Sequence, residues 1–156
     1  MANTESTASL VADTLGGLVE RCKDGVKGFR TAAKDVEDAD LKTLFQQLAT
    51  ERDHCITELQ DYLHRTGHTA SETSSIEGTL HRAWIDLSSA LAAKDRKRVL
   101  EECERGEDYA VAAYRKALEV EGLPQEVQSL IQKQYQVVLA AHDRVRDLRD
   151  QAGGTA

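Results

Sequence analysis

The chain has 156 residues, enough for one domain with a real core. It is rich in the helix formers Ala, Leu, Glu, Lys, Arg and Gln, has one proline and 4% aromatic residues, and so excludes a sheet-based fold. Its net charge of -7, from 20 basic and 27 acidic side chains with no basic block, argues against nucleic acid and anionic membranes as partners, and its apolar runs are too short to span a bilayer.

Met1 to Ser9 is polar and lacks the apolar stretch of a signal peptide. The first long helix is expected from about Ser6 or Ser9 to Val36, with a core stripe of Val11, Leu15, Leu18, Cys22, Val26, Phe29, Ala33 and Val36. The acidic stretch Glu37-Asp38-Ala39-Asp40 breaks it and can cap the next helix. That second helix is expected from about Asp40 to Arg65, with the stripe Leu41, Leu44, Phe45, Leu48, Arg52, Cys55, Leu59 and Tyr62, and Gly67 past its end. A polar link, His68 to Ser75, leads into a short amphipathic helix carrying Ile76, Leu80, Trp84, Leu87 and Leu91. The third long helix is expected from about Asp95 to Glu121, ended by Gly122, with the stripe Leu100, Cys103, Glu107, Ala110, Tyr114 and Ala117. Pro124 opens the fourth, whose stripe is Val127, Ile131, Gln134, Val138, Ala141, Val145 and Leu148.

Tight connections make the first two long helices antiparallel, and likewise the last two. The long link between the pairs, His68 to Lys94, can travel the length of a bundle. The expectation is therefore an all-α, ferritin-like four-helix bundle with a long crossover carrying a short extra helix. It forms a single domain over 1–156, with a core of about 9–151 and frayed termini. A plain up-down bundle with a decorated loop is the alternative.

Three segments carry a family resemblance: Lys23-Asp24-Gly25…Gly28-Phe29, Leu80-His81-Arg82-Ala83-Trp84, and Glu102-Cys103-Glu104-Arg105-Gly106-Glu107-Asp108. Over roughly Leu10 to Arg149 the chain resembles a bacterial ferritin-like four-helix-bundle family of unknown function, domain of unknown function 2383. The resemblance implies the fold and no particular activity. Ferritin-like relatives hold two metal ions, often iron, between their helices, so iron is the cofactor to test.

A dinuclear carboxylate bundle needs a Glu from each of two helices and Glu-x-x-His from each of the others. Glu51-Arg52-Asp53-His54 has the letters of that motif. At ~100° per residue, however, His54 points away from the apolar stripe and Glu51 lies at its edge. His142 on the fourth helix has Leu139 where a Glu is needed, and Glu20 and Asp24 on the first helix face away from its stripe. Only Glu107 occupies a ligand-like core position, with Glu104 toward the edge of the same stripe. The metal alternative is therefore Glu51, His54, Glu104, Glu107 and His142, and no cofactor is the first expectation.

A buried carboxylate needs a partner. Arg52 and Glu107 each stand twelve residues beyond the aspartate that opens their helix, Asp40 or Asp95. Both therefore lie roughly 18 Å from the same end of a crossover bundle. Two readings are open. They form a buried ion pair that replaces the metal charge, or Arg52 extends to the surface and Glu107 meets water at a helix seam. The polar layer would then hold Arg52, Glu107, Cys22, Cys55 and Cys103. The three cysteines, an odd number on core stripes, suit a reducing cytoplasm and read as small buried hydrophobes. A redox role would need an accessible Cys55 with its pKa lowered by Arg52. Trp84 is expected to anchor the crossover helix, with His81 one turn before it. The functional expectation is a non-enzymatic bundle acting through protein contacts, as a homodimer or with another protein, in a stress-linked role. The alternative is an iron or other metal-binding redox protein.

Overall fold

Five helices build the molecule: α1 (Thr4–Asp35), α2 (Ala39–Arg65), α3 (Glu77–Ala92), α4 (Arg96–Leu118) and α5 (Gln125–Gly153). The computed structural model describes residues 4–67 and 77–153, with side chains described over 6–67 and 85–153. No strand occurs among the described residues. Each long helix buries the stripe expected of it, because a 3.6-residue turn returns every third or fourth side chain to one face. Leu148 alone among those positions is only partly buried.

The helix ends show where local signals were redirected. Asp38 occupies the N-cap of α2, but its side chain does not cap the helix. Its carboxylate instead accepts a hydrogen bond from Arg96 Nη1 at 2.7 Å. Asp95 does cap α4, accepting from the Arg98 backbone N–H at 3.2 Å. α4 stops at Leu118, short of the expected Glu121, because the amides of Glu119 and Val120 fold back onto carbonyls three residues earlier in a tighter turn. Gly122 then takes a φ of 90°, which lets the chain reverse toward Pro124. The Pro124 carbonyl accepts from Val127 and Gln128 and opens α5.

Contacts between helices fix the directions of the four long ones. Lys94 pairs with Glu37 at 3.0 Å, and Arg96 with Asp38 and Asp40 at 2.7 and 2.8 Å, so α2 and α4 start at the same end and run parallel. Lys133 reaches Glu58 at 2.6 Å and Arg144 reaches Gln47 at 3.0 Å, so α5 runs antiparallel to α2. Cys22 meets Tyr114, and Leu10 lies beside Gly122, so α1 and α4 are antiparallel. α1 packs on α2 and α4, and α5 packs on α4 and α2, which leaves α2 and α4 at opposite corners. This is a four-helix bundle with one long crossover, and α3 on that crossover packs against α1 and α4.

The apolar interior is two clusters stacked along the bundle. One joins Val11–Val26 of α1 to Cys55–Leu63, Ala110–Ala117 and Val127–Val138. The other joins Phe29–Val36 to Leu41–Ala49, to Leu87, Ala90 and Leu91 of α3, and to Val99–Cys103, Ala141 and Val145. The boundary falls between Ala49 and Cys55 on α2 and between Cys103 and Ala110 on α4, the positions of Arg52 and Glu107. The expected anchors His81 and Trp84 lie on the first part of α3, whose side chains, up to position 84, are outside the described residues.

Candidate functional site

Arg52 and Glu107 project from opposite corners of the bundle and meet at its axis. Arg52 Nη2 donates to Glu107 Oε2 at 2.7 Å, and both side chains are 2% exposed. Two residues of α1, one turn apart, shape the space around the guanidinium. Its carbon lies 5.8 Å from the centre of the Phe29 ring, within reach of the ring's negative face. A Cβ built on Gly25 would lie 3.0 Å from Arg52 Nη1 and 3.3 Å from its Cγ, so a hydrogen there is what lets the side chain pass. Burial works against the arginine charge, but Glu107 outweighs it through its charge and its hydrogen bond and holds the pKa above its ordinary value.

One turn along the bundle a second polar chain crosses the core. Gln134 Nε2 donates to the Cys55 carbonyl at 3.1 Å and to Glu58 Oε1 at 3.3 Å. A carbonyl can only accept, so the amide oxygen of Gln134 faces Tyr114 and accepts a hydrogen bond from its hydroxyl at 2.7 Å. Tyr114 then has no proton left for Cys22, 3.2 Å away, and the thiol donates. Gln134 and Tyr114 are both fully buried. Beyond Gln134 the chain reaches Glu58 and Lys133, and so the surface.

Cys22, Cys55 and Cys103 are free thiols and all are buried. Burial is the largest influence on each and raises each pKa, that of Cys55 to about 12. Arg52 lowers the Cys55 value, as a redox role would require, but burial outweighs it. These thiols stay protonated at neutral pH and behave as core side chains.

The residues considered as metal ligands divide into three groups. Glu107 is taken by Arg52. Glu51 and His54 do not come together at a site: Glu51 is half-exposed and reaches Arg144 at 3.5 Å, and His54 is exposed on the outer face of α2. The one-residue phase displacement explains both, since Arg52 and Cys55 hold the inward positions. Glu104 and His142 do meet, at the seam between α4 and α5, with Asp108 as a third member; their ligand atoms all lie within 4.8 Å of one another. His142 Nε2 lies 2.7 Å from Asp108 Oδ1 and 4.0 Å from Glu104 Oε1, and Nδ1 lies 3.1 Å from Asp143 Oδ1. Burial disfavours charge on His142, but its hydrogen bonds to Asp143 and Asp108 outweigh that and raise its pKa.

Sequence reasoning missed Gly25 and Phe29 as the cradle of Arg52, Gln134 as a polar connector, and Asp108 as a neighbour of His142. Signals existed for some. Gly25 is an interior helical glycine, which costs about 1 kcal/mol relative to Ala and so calls for a packing reason. Gln134 is the one polar member of its stripe, and Asp108 stands one turn from Glu104. None of these signals named a partner.

Comparison with known proteins agrees with part of the resemblance. No curated protein matches the chain. The family described as "Domain of unknown function (DUF2383)" matches residues 10–120. The match takes in Gly25, Phe29, Arg52, Glu104, Glu107 and Asp108 but stops before α5, so it extends less far than the Arg149 suggested by the sequence motifs. Gln134 and His142 thus lie beyond it. With well over half of its length matched, the chain belongs to this family of unknown function.

Proposed function

We propose that the protein is a ferritin-like bundle whose interior metal layer is replaced by an ion pair, and that it works through protein contacts rather than catalysis. The observation that carries this reading is the closure of Arg52 on Glu107 at the boundary between the two apolar clusters. A dinuclear centre needs carboxylates from all four helices and imidazoles from two. At this level the chain offers Cys22 and Gly25 on α1, Arg52 on α2, and Val138 and Ala141 on α5. Those residues do not fit a pair of iron ions, and the one carboxylate that would is occupied by a guanidinium. Arg suits that task because its forked donors match a carboxylate and it does not release its proton.

An ion pair between diagonal helices sets their register while adding little net stability. The residues beside it serve the same end: Gly25 admits the arginine and Phe29 faces it. Catalysis would ask for an accessible group with a pKa suited to proton or electron transfer, whereas the interior thiols and Tyr114 are buried with raised values. A homodimer or a protein partner is the contact this reading favours, tested by analytical ultracentrifugation of untagged protein. The metal question is tested by anaerobic Fe2+ titration followed by air. The expected outcome is no oxo-bridged absorption band. Two irons per chain with such a band, lost in Glu107→Gln, would overturn the reading.

A further inference from the structure

We propose that the α4–α5 seam binds one divalent transition-metal ion of the zinc class through Glu104, Asp108 and His142. The site is separate from the interior layer and independent of the reading given for it. Its donors come from two helices. Glu104 and Asp108 stand one turn apart on α4, on the side of the helix that meets α5, and His142 faces them from α5.

The geometry needs little adjustment. Zinc holds nitrogen and carboxylate oxygen at about 2.0–2.2 Å, so two donors at tetrahedral angles on one ion lie roughly 3.2–3.6 Å apart. The hydrogen bond of 2.7 Å from His142 Nε2 to Asp108 Oδ1 must open, and the 4.0 Å separation from Glu104 Oε1 must close, each by roughly 0.5–0.9 Å. All three ligand atoms lie within 4.8 Å of one another, so the adjustment asked for is a side-chain rotation. Asp108 can supply it, being 61% exposed. Glu104 and His142, at 12% and 16%, are more closely packed and need move less.

A second observation points the same way, outside the three donors. Metal-bound histidines commonly have their far ring nitrogen held by a carboxylate, which orients the ring and strengthens the donor. Asp143 does this to Nδ1 at 3.1 Å and is itself held by Arg146 at 3.2 Å. Arg149 pairs with the far oxygen of Glu104, leaving Oε1 directed toward His142. An outer layer of Asp143, Arg146 and Arg149 therefore supports inner donors from both helices. One imidazole with two carboxylates suits Zn2+, Co2+ or Mn2+ better than Ca2+ or Mg2+, which favour oxygen alone. Three protein donors leave the remaining coordination to water.

The test uses the full chain, purified without an affinity tag and stripped with chelator, then titrated with Zn2+ by calorimetry and with Co2+ by visible absorption. One ion per chain is expected, with Co2+ bands of low-coordinate N/O ligation. Asp108→Asn, His142→Gln and Glu104→Gln should each weaken binding by at least about tenfold. Asp108 is exposed, so its variant separates ligation from folding even if the other two variants destabilise the bundle. His54→Gln and Cys103→Ala should leave the affinity unchanged. Unchanged affinity in Asp108→Asn and His142→Gln, or no saturable binding by the parent chain, would overturn the proposal. Binding that survives those two changes but is lost in Glu107→Gln would place the ion in the bundle interior and overturn both this proposal and the interior ion-pair reading.

Discussion

Glu107 and Asp108 are neighbours in the chain, yet one is 2% exposed and held by a guanidinium while the other is 61% exposed and faces an imidazole. One residue of helix is ~100° of rotation, enough to turn one carboxylate to the bundle axis and the next to the α4–α5 seam. The difference teaches what burial does to an acid. At the axis no water can share the charge, so the protein must neutralise it permanently, and an arginine that never loses its proton does so. At the seam Asp108 is open to water, so its charge needs no permanent cationic partner. The interior pair is thus suited to architecture, and the proposed binding belongs to the seam.

The comparison breaks most sharply at Arg52. Replacing Arg52 with Met leaves Glu107 charged, buried and alone, and should cost about 3–5 kcal/mol in urea unfolding. Adding Glu107→Leu should recover most of that loss, because a well-packed apolar pair can match a buried ion pair. If the double variant is as unstable as Arg52→Met alone, complementarity is not what the layer contributes. Next in size is Tyr114→Phe, which strands the Gln134 amide oxygen and the Cys22 thiol; a loss of about 1–3 kcal/mol is expected. Gly25→Ala gains up to about 1 kcal/mol of helix propensity but forces Arg52 aside, a displacement that costs about 1–3 kcal/mol. A net loss should appear in the parent chain and shrink in the Arg52→Met background, and equal effects in both would remove Gly25 from the cradle.

At the seam, Asp108→Asn should change the stability of the metal-free chain by less than about 0.5 kcal/mol, as for most exposed substitutions. Measured beside Arg52→Met, it sizes the gap between the two sites. The smallest effect is expected in acid. Hydrogen bonds from Arg96 to Asp40 and from Lys133 to Glu58 hold both carboxyls below their ordinary values in the folded chain. Their stabilisation is present above the unfolded values and is lost as pH falls through the lowered folded ones, from about pH 4 downward. The difference in melting temperature between the parent chain and Glu58→Gln should close over that range; a difference that persists in acid would show that the carboxylate charge is not its source.

The sequence by itself determined the helices and their inward faces. Val11 through Val36, Leu41 through Tyr62, Leu100 through Ala117 and Val127 through Val145 lie buried at the positions their periodicity marks. Helix formation is local, so a 3.6-residue repeat carries that information without reference to the rest of the chain. It also put Arg52 and Glu107 at one height, since rise per residue is constant. Only the tertiary structure decided which side chains meet. The opposing element supplies Gly25 and Phe29 around Arg52, Gln134 between Tyr114 and Cys55, and His142 against Asp108. It also drew Asp38 from its own helix cap to Arg96. A partner from another helix is set by rotation and offset between helices, and no repeat within one helix records either.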